Sequence, residues 1–100
     1  MSAFFLYEPL EVTDEEKIAE YRAGAGATVA RYEGSFRVVG GSPAAVEGDW
    51  TPRSLVLVEF PTIELARAWY DSAEYEPFKQ LRLAGSSGNA VLLEGRPAAG

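Results

Sequence analysis

The side chains that could do chemistry in this sequence are phenols, indoles, guanidinium groups and carboxylates, because the 100 residues include neither histidine nor cysteine. This absence excludes a thiol nucleophile, a disulfide, a Ser-His-Asp or Cys-His triad and a zinc or haem site built on His or Cys. Proton transfer would have to use Asp, Glu, Tyr, Lys, a bound water or the substrate itself. Five aromatic and basic residues are candidate ligand-binding residues: Phe36, Trp50, Trp69, Tyr70 and Arg82.

Each of these candidates also has a structural interpretation. Arg82 could clamp a carboxylate bidentately, or it could form a salt bridge of little energetic consequence at the surface. Trp69 could offer a stacking platform or belong to the core. Tyr75, Phe78 and Leu81 lie about one helical turn apart and could all be core residues. Trp50, beside a turn and a proline, could line the mouth of a pocket or pack on a second copy of the chain.

The charge balance limits the kinds of partner that the protein can bind. Fifteen acidic residues against nine basic ones give a net charge of −6, and the six acids among residues 8–20 are accompanied only by Lys17. This end of the chain would repel nucleic acid and anionic lipid. No stretch approaches the roughly 20 apolar residues of a membrane span, and we expect a soluble cytoplasmic protein. The carboxylates show no calcium-loop spacing, so we predict neither a metal nor a cofactor.

The first half of the chain predicts a strand, a helix and a second strand within one domain of residues 1–100. Phe4–Tyr7 is typical of a strand that Pro9 ends or confines to a sheet edge. Thr13 and Glu16 form a capping-box pattern at the start of a helix, and Gly34 stops it. The helix carries an apolar stripe of Ile18, Tyr21, Ala25, Val29 and Tyr32, and it contains Gly24 and Gly26, which would allow close packing against the sheet. Phe36–Val39 follows as a strand with Phe36 and Val38 on one face, and the extended run resumes over 44–47.

The second half predicts a strand, two consecutive helices and a final strand. Residues 53–60 form the strongest strand, because Leu55–Val58 is apolar on both faces. Thr62 caps a helix that runs through Tyr70 or Asp71, with Ala66, Trp69 and Ala73 buried. A short helix begins at Ser72 and tolerates Pro77 in its first turn. Residues 85–88 form a loop, Ala90–Glu94 the last strand, and residues 96–100 a frayed tail.

This order predicts an α+β, ferredoxin-like βαββαβ fold with a four-stranded antiparallel sheet. The helices would cover one face of the sheet. The other face should be polar in a monomer, yet the third and fourth strands are apolar on both faces. Because two sheets can stack face to face and interdigitate their side chains, we expect a homodimer through the open sheet face.

Several segments, in this order and at this spacing, resemble the bacterial family called "domain of unknown function 1330", within the dimeric α/β-barrel superfamily. They are Val12–Asp14, Tyr32–Phe36, Gly40-Gly41, Glu47–Arg53, Val58–Thr62, Ala68–Tyr75 and Leu81-Arg82. The resemblance implies a ferredoxin-like fold that dimerises through its sheet, but no reaction. Two positions depart from the family pattern: Val39 stands where Arg is usual, and Ala73 where Pro is usual. Arg37, two residues before Val39, need not substitute for the missing arginine.

The resemblance also suggests a site. Relatives in this superfamily often hold an aromatic ligand between sheet and helices, and several keep a histidine near the position that Tyr75 resembles. Tyr75 is therefore the candidate catalytic residue, as a hydrogen-bond donor or proton shuttle, although a phenol with a pKa of about 10 is a poor base at neutral pH.

These observations leave three alternative functions. The first is binding of a small apolar or aromatic molecule in that cleft. The second is a cofactor-independent enzyme similar to the superfamily's monooxygenases, isomerases or cyclases. The third is a structural homodimer without a ligand.

Overall fold

The chain folds into a four-stranded antiparallel sheet with three helices on one face. The computed structural model describes residues 1–97, so residues 98–100 of the predicted tail lie outside the described part. The elements are β1 (Ala3–Val12), α1 (Glu15–Arg31), β2 (Ser35–Gly40), β3 (Leu55–Phe60), α2 (Ile63–Tyr70), α3 (Glu76–Gly85) and β4 (Ser86–Glu94). The strand order is β2-β3-β1-β4. This arrangement confirms the predicted ferredoxin-like βαββαβ fold.

Strand β1 is longer than predicted, because Pro9 does not end it. β1 pairs with β3 only from Ala3 to Tyr7, whereas it pairs with β4 as far as Val12. Pro9 therefore lies where β1 has one neighbouring strand, and its missing N–H can face the free edge. The register with β4 shifts between Pro9 and Glu11. The prediction that Pro9 confines the strand to an edge holds for this outer part alone.

Helix α1 begins one residue later than the capping-box pattern predicted. Asp14, not Thr13, is the N-cap, and its carboxylate accepts a hydrogen bond from the backbone N–H of Lys17 at 3.2 Å. Both residue types are good caps, and the sequence alone did not separate them. Gly24 was expected to allow packing against the sheet, but it packs against α3, where a Cβ would overlap the ring of Phe78.

Strand β2 contains a bulge, and the residues after it lie on the opposite sides of the sheet from those predicted. Phe36 pairs with Val58, but Val38 pairs with Leu57, because the register shifts by one residue at Arg37. A bulge of this kind places two consecutive residues of one strand opposite one residue of its partner. Phe36 and Val39 consequently face the helices, whereas Val38 does not. The prediction that Phe36 and Val38 share a face was wrong.

Two loop boundaries also differ from expectation. Residues 44–47 form no strand; they belong to an irregular segment between β2 and β3. Residues 85–88, predicted as a loop, are instead the junction at which α3 passes directly into β4. Thr62 caps α2 as predicted, by accepting from the N–H of Leu65 at 3.1 Å. Ala73 lies after α2 and is exposed, so its predicted burial was wrong.

The core lies between the sheet and the helices. It contains Ala3, Phe5, Tyr7, Ala25, Val29, Val58, Phe60, Ala66, Trp69 and Tyr75. Alternate residues of β1 point into this layer, because successive side chains of a strand lie on opposite faces. Within residues 1–97, no helix combines the length and the apolar character needed to cross a membrane.

Candidate functional site

A cleft of about 560 Å³ separates α1 from the helix-facing side of the sheet. Its floor is formed by strands β1 and β3, where Phe5 pairs with Val58 and Tyr7 with Val56. The wall on α1 is formed by Ile18, Tyr21, Ala25, Gly26 and Val29. Because the predicted apolar stripe of α1 faces the apolar side of two strands, the lining is mostly hydrophobic. Its volume is in the range of small-molecule sites, roughly 300–1,000 Å³.

The cleft has an open end and a closed end. Leu10, Val12, Phe36 and Val39 contribute to its lining and are all exposed, with Val39 72% accessible. Two other lining residues, Trp69 and Arg82, are almost completely buried, with 1% and 5% of their surface accessible. A molecule entering between the exposed residues would therefore meet an indole and a guanidinium group at the buried end.

Arg82 is held at this end by aromatic neighbours. It projects from α3, its Cζ lies 4.8 Å from the centre of the Tyr7 ring, and its Nε donates to the Tyr75 hydroxyl at 3.4 Å. Its Nη2 is buried and has no hydrogen-bond partner among the described residues. The ion pairs found in residues 1–97 involve Lys17, Arg37 and Lys79. Arg82 is thus a buried cation that has no counter-ion among residues 1–97.

The charge on Arg82 is nevertheless maintained. Burial opposes ionisation, but the neighbouring Tyr75 and Tyr21 phenols outweigh it, so the pKa of Arg82 lies above its ordinary value. The face of the Tyr7 ring also attracts the cation. An unpaired buried charge usually costs several kcal/mol, and such residues concentrate at functional sites.

Two phenols connect Arg82 to the wall of the cleft. The hydroxyl oxygens of Tyr21 and Tyr75 lie 2.9 Å apart. Burial, together with the nearby Tyr75 hydroxyl, raises the pKa of Tyr21 well above its ordinary value. Tyr21 therefore stays neutral and keeps its proton over the working pH range. It can act as a hydrogen-bond donor at the cleft, but it is a poor general base.

Trp69 is fixed by contacts on both sides of its indole. Its Nε1 donates to Oγ1 of Thr28 at 3.0 Å, and that hydroxyl donates to the carbonyl of Ala25 at 2.6 Å. Its ring centre lies 4.2 Å from that of Tyr75 and 5.1 Å from that of Phe5. These contacts tie α1, α2 and β1 together, so the buried end of the cleft has little freedom to rearrange.

The structure brings together only some of the predicted site residues. Phe36, Trp69 and Arg82 line the cleft. Tyr75 is completely buried and lies behind Trp69, within reach of Arg82 and Tyr21. Tyr70 is outside the lining; its ring packs near Phe5 and lies below the ammonium group of Lys79.

Trp50 is on the other side of the sheet. Its Nε1 donates to Oε2 of Glu8 at 2.9 Å, and Oε1 of the same carboxylate accepts from Asn89 at 3.1 Å. Arg37 also lies on this side, where its Nε contacts Glu59 at 2.9 Å. Arg37 and Val39 therefore lie on opposite sides of the sheet.

The sequence reasoning missed Tyr21 and Tyr7 as site residues. Tyr21 was assigned to the buried stripe of α1 and Tyr7 to the first strand, so both were treated as structural. Their phenol groups could have indicated a role at the site, since a buried tyrosine hydroxyl needs a hydrogen-bond partner. In residues 1–97, no three carboxylates are grouped as a metal ion would require.

Comparisons with known proteins extend this description. The model of a protein family described as "Domain of unknown function (DUF1330)" matches residues 2–96. Among solved structures, the chain is similar to the RPA0582 protein of unknown function from Rhodopseudomonas palustris. The TM-score is 0.74 at 15% identity, over 96% of this chain and 83% of that one. No curated protein matches the chain.

Two further structures have names that refer to an activity. SnoaB, a cofactor-independent oxygenase from Streptomyces nogalater, matches with a TM-score of 0.58 at 15% identity, covering 97% of this chain and 94% of that one. A candidate antibiotic biosynthesis monooxygenase from Nitrosomonas europaea matches with a TM-score of 0.55 at 15% identity, over 99% and 93%. At this identity the likeness concerns the fold.

Proposed function

Because the chain belongs to the DUF1330 family, whose name assigns no reaction, we propose a function from its own cleft: binding of a small apolar or aromatic molecule between α1 and the sheet. The observation that carries this proposal is the open cleft of about 560 Å³, with apolar walls and a few polar groups at its buried end. A wide apolar site with few oriented polar groups is the usual form of a small-molecule pocket.

The two tryptophans allow a direct test. Trp69 lines the cleft and Trp50 lies on the opposite side of the sheet. In the variant Trp50→Phe, Trp69 is the only tryptophan of the chain. Titration with a panel of phenols and quinols should give saturable quenching of its fluorescence. If no compound in a broad panel gives saturation, the proposal is wrong.

A cleft-filling substitution provides the control. Gly26 lies on the α1 wall, and a Cβ there would be 3.8 Å from the Phe36 ring, so the Cβ of Gly26→Leu has room and the rest of the side chain would occupy the cleft. Leucine favours a helix over glycine by about 0.8 kcal/mol. The variant should therefore lose the saturable quenching while its melting temperature stays equal or rises. Ala27→Leu, at an exposed position of the same helix, should bind as the parent does.

Oxygenase chemistry is a second candidate function. It is favoured by the fold likeness to SnoaB and by the Tyr21–Tyr75 hydroxyl pair beside the apolar cleft. Here the substrate would have to supply its own reactivity toward dioxygen, because Tyr21 retains its proton. Dioxygen uptake with a naphthohydroquinone, measured above the rate of autoxidation, tests this function. Uptake equal for the parent and Gly26→Leu would count against it.

The partner proposal is a homodimer formed through the open sheet face. This face carries an apolar group made of Phe4, Leu6, Leu57, Val91 and Leu93, as the strand registers show. Val91 is 52% and Leu93 42% exposed in the single chain. Contiguous apolar surface of this kind often marks an interface, and face-to-face sheet packing would cover it.

The dimer can be tested with two substitutions of similar exposure. Val91→Lys places a charge in the open sheet face, whereas Leu83→Lys changes an exposed residue of α3, on the helix side; Leu83 is 55% exposed. Light scattering at micromolar concentration should give a dimer for the parent and for Leu83→Lys, and a monomer for Val91→Lys. A monomeric parent protein would refute this proposal and leave the cleft proposal standing.

A further inference from the structure

The hydrogen bonds at the buried end of the cleft fix the direction in which its polar groups point. Arg82 has no acceptor atoms, so its Nε must donate to the Tyr75 oxygen. Tyr75 is completely buried, and its own hydroxyl proton also needs an acceptor. Among residues 1–97, the acceptor within reach of that proton is the Tyr21 oxygen, 2.9 Å away. Tyr75 therefore donates to Tyr21.

This direction leaves the Tyr21 proton free. Tyr21 lines the cleft, and its hydroxyl makes no hydrogen bond to a described residue other than Tyr75. The second free donor is Nη2 of Arg82, which is buried without a partner in the described part of the chain. Two donors, one of them cationic, thus lie at the buried end of a mostly apolar cleft. Glu11 also contributes to the lining, but no carboxylate of residues 1–97 forms an ion pair with Arg82.

We infer that the ligand of this cleft is an aromatic carboxylic acid, whose carboxylate binds the Arg82 guanidinium group and the Tyr21 hydroxyl while its ring lies between α1 and the sheet. A carboxylate offers only acceptors and supplies the missing negative charge. A neutral aromatic molecule of the same shape would leave the Arg82 charge without a counter-ion, and a cationic one would add a second positive charge. The inference rests on the proposed function, since it specifies the class of molecule that enters the same cleft.

The orientation follows from burial. Arg82 and Trp69 form the closed end, whereas Phe36 and Val39 are at the exposed mouth. The carboxylate would enter first, and the ring would rest on the pairs Phe5–Val58 and Tyr7–Val56. Within this site the ion pair would be shielded from water, and it would be screened by salt less than a surface pair.

The test compares three probes that differ in charge and share a ring: 2-naphthoate, 2-naphthylmethanol and 2-naphthylmethylamine. Isothermal titration calorimetry on the unmodified protein needs no substitution that could disturb folding. A hydrogen bond to a charged group contributes about 1.5–3 kcal/mol, so naphthoate should bind about 10- to 100-fold more tightly than the alcohol. The amine should bind more weakly than both.

Substitutions show which residues cause the preference for naphthoate. Arg82→Gln should remove most of the preference for naphthoate, and Tyr21→Phe should weaken naphthoate binding by about tenfold. Arg67→Gln is the matched control, because it removes the same charge from an exposed residue of α2 that is not part of the cleft lining; it should change binding by no more than about twofold. A thermal melt of each variant verifies that it is folded.

The outcomes separate the two proposals. If alcohol and naphthoate bind equally, or if the amine binds best, the carboxylate inference is wrong while the cleft remains a small-molecule site. An equal loss with Arg67→Gln and Arg82→Gln would also overturn it, because the preference would then come from the overall charge of the protein and not from the cleft. If none of the three probes binds and the phenol and quinol panel gives no quenching, both proposals fail together.

Discussion

The indole of Trp69 packs against the phenol of Tyr75, with ring centres 4.2 Å apart, ring planes tilted by 33° and both side chains removed from solvent. The sequence places both residues among the site candidates, but the structure gives them different positions relative to the cleft. Trp69 touches the cleft, whereas Tyr75 lies behind it and reaches the cleft through the Tyr21 hydroxyl and the Arg82 guanidinium. Tyr75 is consequently a residue that positions two others, and its substitution should be measurable first as a loss of stability.

Tyr75→Phe should lower the free energy of unfolding by about 1–3 kcal/mol, because it leaves the Arg82 Nε without an acceptor in a buried site. The measurement is chemical denaturation followed by the near-ultraviolet signal of Trp69. Tyr32→Phe is a suitable control: that hydroxyl donates to Glu74 in a half-buried position and should matter less. If Tyr75→Phe is as stable as the parent, the hydrogen-bond directions deduced for the buried end are incorrect.

The two glycines of α1 should respond oppositely to alanine. At Gly24 a Cβ would overlap the Phe78 ring, so Gly24→Ala forces α1 away from α3 or moves that ring. At Gly26 there is room, and alanine gains about 0.5–1 kcal/mol of helix stability. Gly24→Ala should therefore be less stable than Gly26→Ala by about 1–3 kcal/mol. Equal stabilities would mean that Phe78 adapts without cost.

The sequence predicted the order of elements because each has a strong local signal. The continuous apolar run Leu55–Val58 and the helical spacing of Ile18, Ala25 and Val29 are local patterns, and the structure has a strand and a helix at these positions. The faces of β2 were not predictable in the same way. The bulge at Arg37 depends on pairing with β3, almost 20 residues later, and it decides that Val39 faces the cleft.

The site was partly predictable for a similar reason. Residue type suggested Trp69, Phe36 and Arg82, and all three line the cleft. The contact between Tyr21 and Tyr75 joins residues 54 positions apart, so no spacing along the chain indicates it. The resemblance pointed to Tyr75, which is completely buried and is not part of the cleft lining. The group that faces the cleft is instead the Tyr21 hydroxyl, one hydrogen bond further on.

Acid should reduce stability in part through the cap of α1. Hydrogen bonding to the Lys17 N–H lowers the pKa of Asp14 below its ordinary value of 3.8. Because the folded-state pKa is lower than the unfolded one, the stabilisation is complete above the unfolded pKa and is lost as the pH falls through the folded pKa.

Asp14→Asn keeps an acceptor for the cap but cannot ionise. Its stability relative to the parent should thus be lower at neutral pH, and the difference should shrink at pH values below 3.8. Urea denaturation at a series of pH values measures this difference. Glu20→Gln, at an exposed carboxylate that makes no hydrogen bond in the described residues, serves as a control for net charge. A pH-independent difference for Asp14→Asn would contradict the proposed role of the carboxylate.

Val39→Arg should restore the residue that the family usually has, yet leave the buried end of the cleft unchanged. Val39 is 72% exposed, so the substitution should alter stability by no more than about 0.5 kcal/mol. The new guanidinium would lie at the mouth, whereas the proposed carboxylate site is at Arg82, at the closed end. Alone, it should change the affinity for 2-naphthoate only a few-fold, as an exposed charge does.

The decisive version of this experiment combines Val39→Arg with Arg82→Gln. If the carboxylate binds at the closed end, the double variant should bind 2-naphthoate as weakly as Arg82→Gln does, because an arginine at the mouth would pair with the ligand only if the acid group lay at the mouth. Val46→Arg with Arg82→Gln is the matched control, since Val46 is 91% exposed in the segment between β2 and β3 and is not part of the cleft lining. Recovery of affinity in the Val39 double variant alone would reverse the orientation of the ligand, with its acid group at the mouth and its ring against Trp69.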